Sequence, residues 1–234
     1  DYYQSTRGGG HGDYRTLTLA PASCQEAYDQ TIRAFDLAFR YRNPVVVLGD
    51  AILGQMKEPI QPWKEREVQD SRSLSWSLSG ARGRAPRLLK SLYLTDGALA
   101  GHNQRLQEKY QAMRAECDWE ASMIEDAELI VVAFGSMGRI AKSAIRQLRA
   151  TGLPVGLFRP VTLFPFPEEP LAELAAAGKR FLTIENNAGQ MVDDVRLAVR
   201  GHSDSALYSV LPGYLASPTD LLDPIQQALR NEDQ

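Results

Sequence analysis

The sequence predicts an α/β fold built on a mainly parallel sheet, and three features carry that prediction. Val45-Val46-Val47-Leu48 and Leu129–Phe134 are continuous apolar runs, the pattern of strands covered on both faces. From Leu129 to Arg230, apolar strands alternate with helical segments, as in a doubly wound domain. Ahead of these, Thr16–Ala20, a helix beginning near Ser23 and Val45–Leu48 form a separate strand–helix–strand unit.

The first helix has its start written in Ser23 and Glu26, a capping box, and its buried face in Ala27, Ile32, Phe35, Leu37, Ala38 and Phe39. Asn43-Pro44 ends it. Gly49-Asp50 closes the second strand, and Ala51–Met56 reads as helical. From about Glu58 to Asp96 the chain carries Pro59, Pro62 and Pro86, many serines and little periodicity, so it reads as a long connector. Trp63 and Trp76 suggest that it packs along a surface. Arg82, Arg84, Arg87 and Lys90 read as a solvated linker or a partner contact. Leu106, Tyr110, Met113 and Cys117 then share one face of a helix expected over about 102–124.

The second half alternates more cleanly. Strands are expected at Leu129–Phe134, Val155–Phe158, Arg180–Ile184 and Leu207–Val210. Helices are expected at Gly138–Thr151, Leu171–Ala177, Met191–Val199 and Thr219–Arg230. Gly152 is a natural stop for the first of these helices. Pro160 to Pro170 reads as a proline-broken loop.

Length and composition bound the classes. The 234 residues fit one large or two small domains, and a net charge of −3 gives no basic field for nucleic acid. No apolar run is long enough for a membrane span, and no signal peptide is seen. Two cysteines, Cys24 and Cys117, supply neither a disulfide framework nor the four thiolates of an iron–sulfur cluster. They are expected to be buried thiols of a cytoplasmic protein. The chain opens with Asp1 and reaches a glycine loop with no strand or helix legible before it, so the sequence reads as a piece of a longer protein.

That loop, Arg7-Gly8-Gly9-Gly10-His11-Gly12-Asp13-Tyr14, is the first candidate site. Its glycines allow close approach to another surface. Arg7 can pair a carboxylate or phosphate, and His11 can move protons near neutral pH. Asp50 lies just beyond a parallel strand, at the edge where such sheets place ligands, or else caps a helix. Gly135-Ser136-Met137-Gly138 follows a strand and opens a helix, a setting for an anion or simply a tight turn. The next strand ends in Phe158-Arg159 without an acidic residue, which argues against nicotinamide. Glu185-Asn186-Asn187, with Gln190, ends another strand on the same edge. Gly135, Ser136, Glu185, Asn186, Asn187 and Gln190 share that edge as a solvated loop cluster or as candidates for a subunit interface. No residue is assigned to a metal, and His102 and His202 lack ligand spacing.

The order of these words resembles a known family. Arg7–Tyr14, Leu19-Ala20-Pro21, Arg42-Asn43-Pro44-Val45, Leu48-Gly49-Asp50 and Leu53-Gly54-Gln55-Met56 resemble the pyrimidine-binding domain of 2-oxoacid:ferredoxin oxidoreductases. Tyr93-Leu94-Thr95 and His102-Asn103 resemble the family's connector. Arg159-Pro160-Val161-Thr162-Leu163, Ala188-Gly189-Gln190-Met191-Val192 and Asp194–Val199 resemble its second domain. The likeness is to the C-terminal part of an alpha-type subunit of the branched-chain, 3-methyl-2-oxobutanoate variety.

The resemblance implies a partial thiamine-diphosphate pyrimidine-binding domain over 1–60, a connector with a helix over 61–125, and a transketolase C-terminal-like domain over 126–234. For the edge holding Gly135, Ser136, Glu185, Asn186, Asn187 and Gln190, it implies the subunit interface. It implies oxidative decarboxylation of a 2-oxoacid to acyl-CoA with reduction of ferredoxin. The whole complex would use thiamine diphosphate, Mg, [4Fe-4S] clusters and CoA. Its partners would be beta-type thiamine-binding, gamma-type and ferredoxin-like delta-type subunits, and ferredoxin. The family's pyrimidine-binding glutamate and its substrate-contacting threonine and arginine belong upstream of Asp1. No Gly-Asp-Gly diphosphate motif is present either, so this piece alone is expected to bind no cofactor and to be inactive. Two other readings stand beside it: a beta-type subunit of a lipoate-linked 2-oxoacid dehydrogenase or a transketolase relative, and a non-catalytic assembly scaffold.

Overall fold

The computed structural model describes residues 1–8, 10, 12–63 and 70–230. The chain forms two compact units, Asp1–Ile60 with Tyr110–Gln234, and Gln61–Lys109.

In the larger unit a short helix α1 (Tyr2–Thr6) precedes strand β1 (Leu17–Leu19), helix α2 (Cys24–Tyr41), strand β2 (Val45–Val47) and helix α3 (Ala51–Gln55). The sequence pattern holds no sign of α1. Ser23 caps α2 as expected, accepting the Glu26 N–H at 3.1 Å, while the Glu26 carboxylate accepts the Ala22 N–H at 3.0 Å. Arg42, in left-handed conformation at φ 47°, ends the helix.

In the smaller unit, Arg87 donates to the carbonyls of Leu74 and Ser77 at 2.9 and 2.8 Å. His102 stacks on Tyr93 with ring centroids 4.6 Å apart. Trp76 is half-buried and Trp63 is exposed. Helix α4 covers Ala98–Ala112.

The helix expected over 102–124 is shorter than its apolar spacing implies. Met113–Glu116 is a 3₁₀ turn, and Trp119–Ser122 is strand β3. Met113 is fully buried, so the helical stripe is real as far as that turn. Beyond it, backbone pairing with another strand wins. Strands β4 (Leu129–Val132), β5 (Val155–Pro160), β6 (Thr162–Phe164), β7 (Arg180–Glu185) and β8 (Ser205–Ser209) follow, with helices α5 (Gly135–Ala150), α6 (Glu168–Ala176), α7 (Met191–Val199) and α8 (Leu222–Arg230). The proline-broken loop thus contains a strand, β6, between Pro160 and Pro165. Cys24 and Cys117, expected to be buried, are both half-exposed.

Two sheets result. One has the order β3-β5-β4-β7-β8, parallel except for β3 at its edge. Its pleat divides the core: Leu129 and Val131 face one side with Ala141, Ile145, Leu148 and Ile225, while Ile130 and Val132 face the other with Leu171, Val195 and Val199. Helices therefore cover both faces, as the continuous apolar strands require. The second sheet has the order β2-β1-β6, with β1 parallel to β2 and antiparallel to β6. Residues 1–60 do not close on themselves: β6, from the second half, completes their sheet.

Candidate functional site

The carboxyl ends of β2, β4 and β7 meet around a cleft of about 490 Å³. Asp50, Gly135, Glu185, Asn186, Asn187 and Gln190 line it, with Phe134, Met137 and Pro212 as apolar walls. The structure thus brings most of the sequence candidates to one edge, where parallel sheets receive ligands and partners.

Of the three carboxylates lining the cleft, Asp1, Asp50 and Glu185, the last two are committed to the fold. Asp50 caps α3, accepting the Leu53 N–H at 2.9 Å with one oxygen, and accepts the Ser136 hydroxyl with the other. Ser136 is almost fully buried in the first turn of α5, which has no side-chain cap of its own, so Asp50 supplies negative charge at that helix's positive end. Gly135 makes this turn at φ +56°, where a side chain is strained. At Gly138 the need is space: a Cβ would lie 2.9 Å from the Ala133 carbonyl oxygen and 2.9 Å from Cδ of Arg159.

Glu185, 1% exposed, accepts four hydrogen bonds. Three come from the backbone N–H groups of Gln190, Met191 and Val192 at 3.1, 2.8 and 2.9 Å, and one from the Asn187 amide at 3.0 Å. A buried carboxylate is tolerable on these terms, because the open end of α7 satisfies its lone pairs. These bonds tie the Glu185 side chain to the end of α7. Asn186 donates to the Val210 carbonyl at 2.9 Å, and Gln190 accepts the Tyr3 N–H at 3.0 Å.

Arg7 lies outside this cleft. It pairs with Asp194 at 2.7 Å and sits 5.2 Å from the Tyr3 ring. Tyr2, nearly buried, donates to the other Asp194 oxygen at 2.6 Å, and Tyr3 donates to Asp193, which pushes the Tyr3 phenol up to about 12. Burial pushes the Asp194 carboxyl above its ordinary range despite these donors. His11 falls outside the described residues.

Sequence reasoning named Arg159 as a strand end and gave it no role. It is 5% exposed at the end of β5 and forks onto Glu26 at 3.0 and 2.9 Å, with its Nε on Glu120 at 2.9 Å. Glu120 also holds Lys142. A lone arginine closing an otherwise apolar strand was the available signal.

Among the described residues, no group of three or more His, Cys, Asp or Glu side chains is placed to hold a metal ion. No helix among the described residues is long and apolar enough to cross a membrane.

Comparison with known proteins matches residues 1–125 to the family model described as pyruvate flavodoxin/ferredoxin oxidoreductase, thiamine diphosphate-binding. The chain belongs to that family. Residues 127–221 match core domain II of pyruvate:ferredoxin oxidoreductase. The family expected from Arg7–Tyr14 and the downstream words is the one found. A ketoisovalerate oxidoreductase subunit VorB from Methanothermobacter marburgensis is 45% identical over 97% of the chain and 64% of the relative. A 2-oxoglutarate synthase subunit KorA from the same organism is 30% identical over 94% of the chain and 65% of the relative. The chain therefore spans a little under two thirds of these relatives. In structure it resembles a 2-oxoglutarate:ferredoxin oxidoreductase from Magnetococcus marinus, solved with 2-oxoglutarate, coenzyme A and succinyl-CoA bound. That match has a TM-score of 0.75 and 18% identity, over 97% of this chain and 44% of the other. A split-gene transketolase shares the fold at a TM-score of 0.50, with 16% identity over 92% of this chain and 57% of the other.

Proposed function

We propose that this chain is part of the alpha-type subunit of a thiamine-dependent 2-oxoacid:ferredoxin oxidoreductase acting on branched-chain 2-oxoacids such as 3-methyl-2-oxobutanoate. In the assembled enzyme, thiamine diphosphate supplies carbanion chemistry at the 2-oxo carbon, coenzyme A takes the acyl group, and iron–sulfur clusters carry electrons to ferredoxin. The setting is cytoplasmic. The diphosphate, its Mg and the clusters lie on partner subunits of beta, gamma and delta type.

One observation carries this division of labour: Asp50 and Glu185, two of the three carboxylates lining the carboxyl-edge cleft, are bound to helix ends and not free for proton transfer or metal ligation. The cleft instead presents Asn186, Asn187 and Gln190 beside apolar walls, with Leu211, Tyr214 and Leu215 exposed nearby in sequence to Pro212. These uncharged amides beside apolar side chains suit contact with another subunit. The 45% identity to a ketoisovalerate oxidoreductase subunit, against 30% to a 2-oxoglutarate synthase subunit, favours the branched-chain substrate.

The test is a substrate comparison on the assembled complex. Ferredoxin reduction with coenzyme A present should be faster with 3-methyl-2-oxobutanoate than with 2-oxoglutarate, and a lipoyl domain should not be reduced. Preference for 2-oxoglutarate would overturn the substrate, and lipoyl reduction would overturn the class. Asn187→Arg should weaken subunit association in sedimentation; unchanged association would remove the cleft from the interface.

A further inference from the structure

A second pocket, of about 200 Å³, shares no lining residue with the carboxyl-edge cleft, and three arginines line it. Arg7 comes from the end of α1, Arg15 from the approach to β1, and Arg114 from the 3₁₀ turn after α4. They are far apart in sequence, and each is seated by a different part of the fold. Arg7 is tied to Asp194 and lies over Tyr3. The Arg15 backbone is fixed by the Asn43 amide, which donates to its carbonyl at 3.0 Å, and its guanidinium sits 5.9 Å from the Phe164 ring. Arg114 follows fully buried Met113 and precedes Glu116, which Arg40 and Tyr41 hold at 2.7 and 2.8 Å.

The electrostatic balance around the pocket is positive. Two carboxylates line it, Asp194 and Glu168. Asp194 is fully engaged, with Arg7 on one oxygen and Tyr2 on the other. Among the described residues Glu168 pairs with none of the three arginines, and the one side-chain hydrogen bond Arg15 makes goes to its neighbour's carbonyl, that of Tyr14, at 3.1 Å. Arg15 and Arg114 thus line one pocket with no ion pair to either of its carboxylates among the described residues. The amino end of α6 forms part of the wall at Phe166 and Glu168 and adds its partial positive charge.

We propose that this pocket binds the phosphoryl group of a small phosphate monoester. Guanidinium forks match phosphate and carboxylate oxygens alike. Forks arriving from three separate elements offer more donors than a planar carboxylate accepts, whereas a phosphate has three terminal oxygens to meet them. The volume is below the ordinary range of whole-ligand pockets, roughly 300–1,000 Å³, so it holds a phosphoryl head and not a nucleotide. Phe164 and Phe166 give the carbon side of an ester an apolar wall. The site is separate from the carboxyl-edge cleft and does not depend on the function proposed above.

The probes are inorganic phosphate, phenyl phosphate and acetate, titrated calorimetrically into the full chain at fixed ionic strength set with sodium chloride. One phosphate should bind per chain. Phenyl phosphate should bind more tightly than phosphate, and acetate at least about tenfold more weakly. Arg15→Gln and Arg114→Gln should each weaken phosphate about tenfold and steepen nothing else, while Glu168→Gln should tighten it several-fold by removing a like charge. Equal affinity for phosphate and acetate would overturn the proposal, as would arginine variants that bind like the parent. The Glu168 variant keeps the test decisive if an arginine variant misfolds, because unchanged or weakened binding in it also contradicts the site.

Discussion

The two sheets of the larger unit solve the same problem differently. The five-stranded sheet brings its own cover: β4 and β5 are buried at every residue, and helices of the same chain segment close both faces. The three-stranded sheet buries β1 completely but leaves β2 half-buried at an edge, and it obtains its third strand from residues 162–164. Its helix α2 also leaves Phe35 64% exposed. A sheet that must borrow a strand depends on the contacts that hold lender and borrower together. Those contacts combine a buried apolar cluster, with Tyr2 and Ala20 beside Phe158 and Leu163, and an ionic joint that makes the comparison testable.

The largest effect is expected at Arg159. It links Glu26 at the start of α2 to Glu120 on β3, and so joins the small sheet's helix to the large sheet's edge. Arg159→Met removes the charge but keeps much of the volume. Loss of one partner from a buried pair costs about 3–5 kcal/mol, and the lower end applies because Glu26 and Glu120 keep about a third of their side chains in water. Urea denaturation should give that loss. Hydrogen exchange should place the loosening in α2 and β1 before β4 and β7; uniform loosening would mean that the two sheets are one cooperative body.

The next comparison sets one helix cap in each sheet against the other. Glu185→Gln replaces one acceptor oxygen with an NH₂ facing backbone N–H groups, so the α7 end loses charge-assisted bonds worth about 1.5–3 kcal/mol. Asp50→Ala removes the α3 cap and the Ser136 partner, and a cap is worth about 0.5–2 kcal/mol. Thermal denaturation should rank the Glu185 variant as the more damaged. The reverse order would mean that the borrowed sheet sets the stability of the whole unit.

The large sheet was the more legible of the two, for the same reason. Leu129–Val132 and Arg180–Glu185 announce themselves because burial on both faces demands unbroken apolar runs. Strand β3 does not, since Trp119–Ser122 alternates exposed and half-buried residues at a sheet edge, and the preceding Leu106–Cys117 stripe suggests that the helix continues. Strand β6 is hidden by its flanking prolines, and only pairing with β1 makes it a strand. Helix α1 is too short to carry a signal and is fixed by Tyr2 and Arg7 on Asp194. For the carboxyl-edge cleft, strand ends plus Asp50 and Asn186 were enough to find its residues. The cap role of Asp50 was legible from its place between a strand and a helix; that Glu185 serves a helix end was not, because a carboxylate's partners are set by which backbone N–H groups the tertiary fold leaves open.

Two carboxylates sharpen the contrast with the smallest effects. Burial alone pushes Glu120 up, but Lys142 and Arg159 outweigh it and hold the group below the usual glutamate value of 4.5. Its ionised form therefore stabilises the fold above that value, and the contribution disappears as pH falls through the lowered folded value. Asp194 has the opposite sign: burial outweighs Tyr2 and Arg7 and raises it above the usual aspartate value of 3.8. Its ionisation costs stability at neutral pH, and that cost is relieved as pH falls through the raised value toward 3.8. Stability measured against pH should show the parent's advantage over Glu120→Gln shrinking as pH drops below about 4.5, while the parent gains on Asp194→Asn over the acid range above 3.8. Two curves moving in the same direction would mean that Arg7 and Tyr2 hold Asp194 as firmly as Arg159 and Lys142 hold Glu120, and that the α1–α7 contact is as strongly ionic as the joint between the sheets.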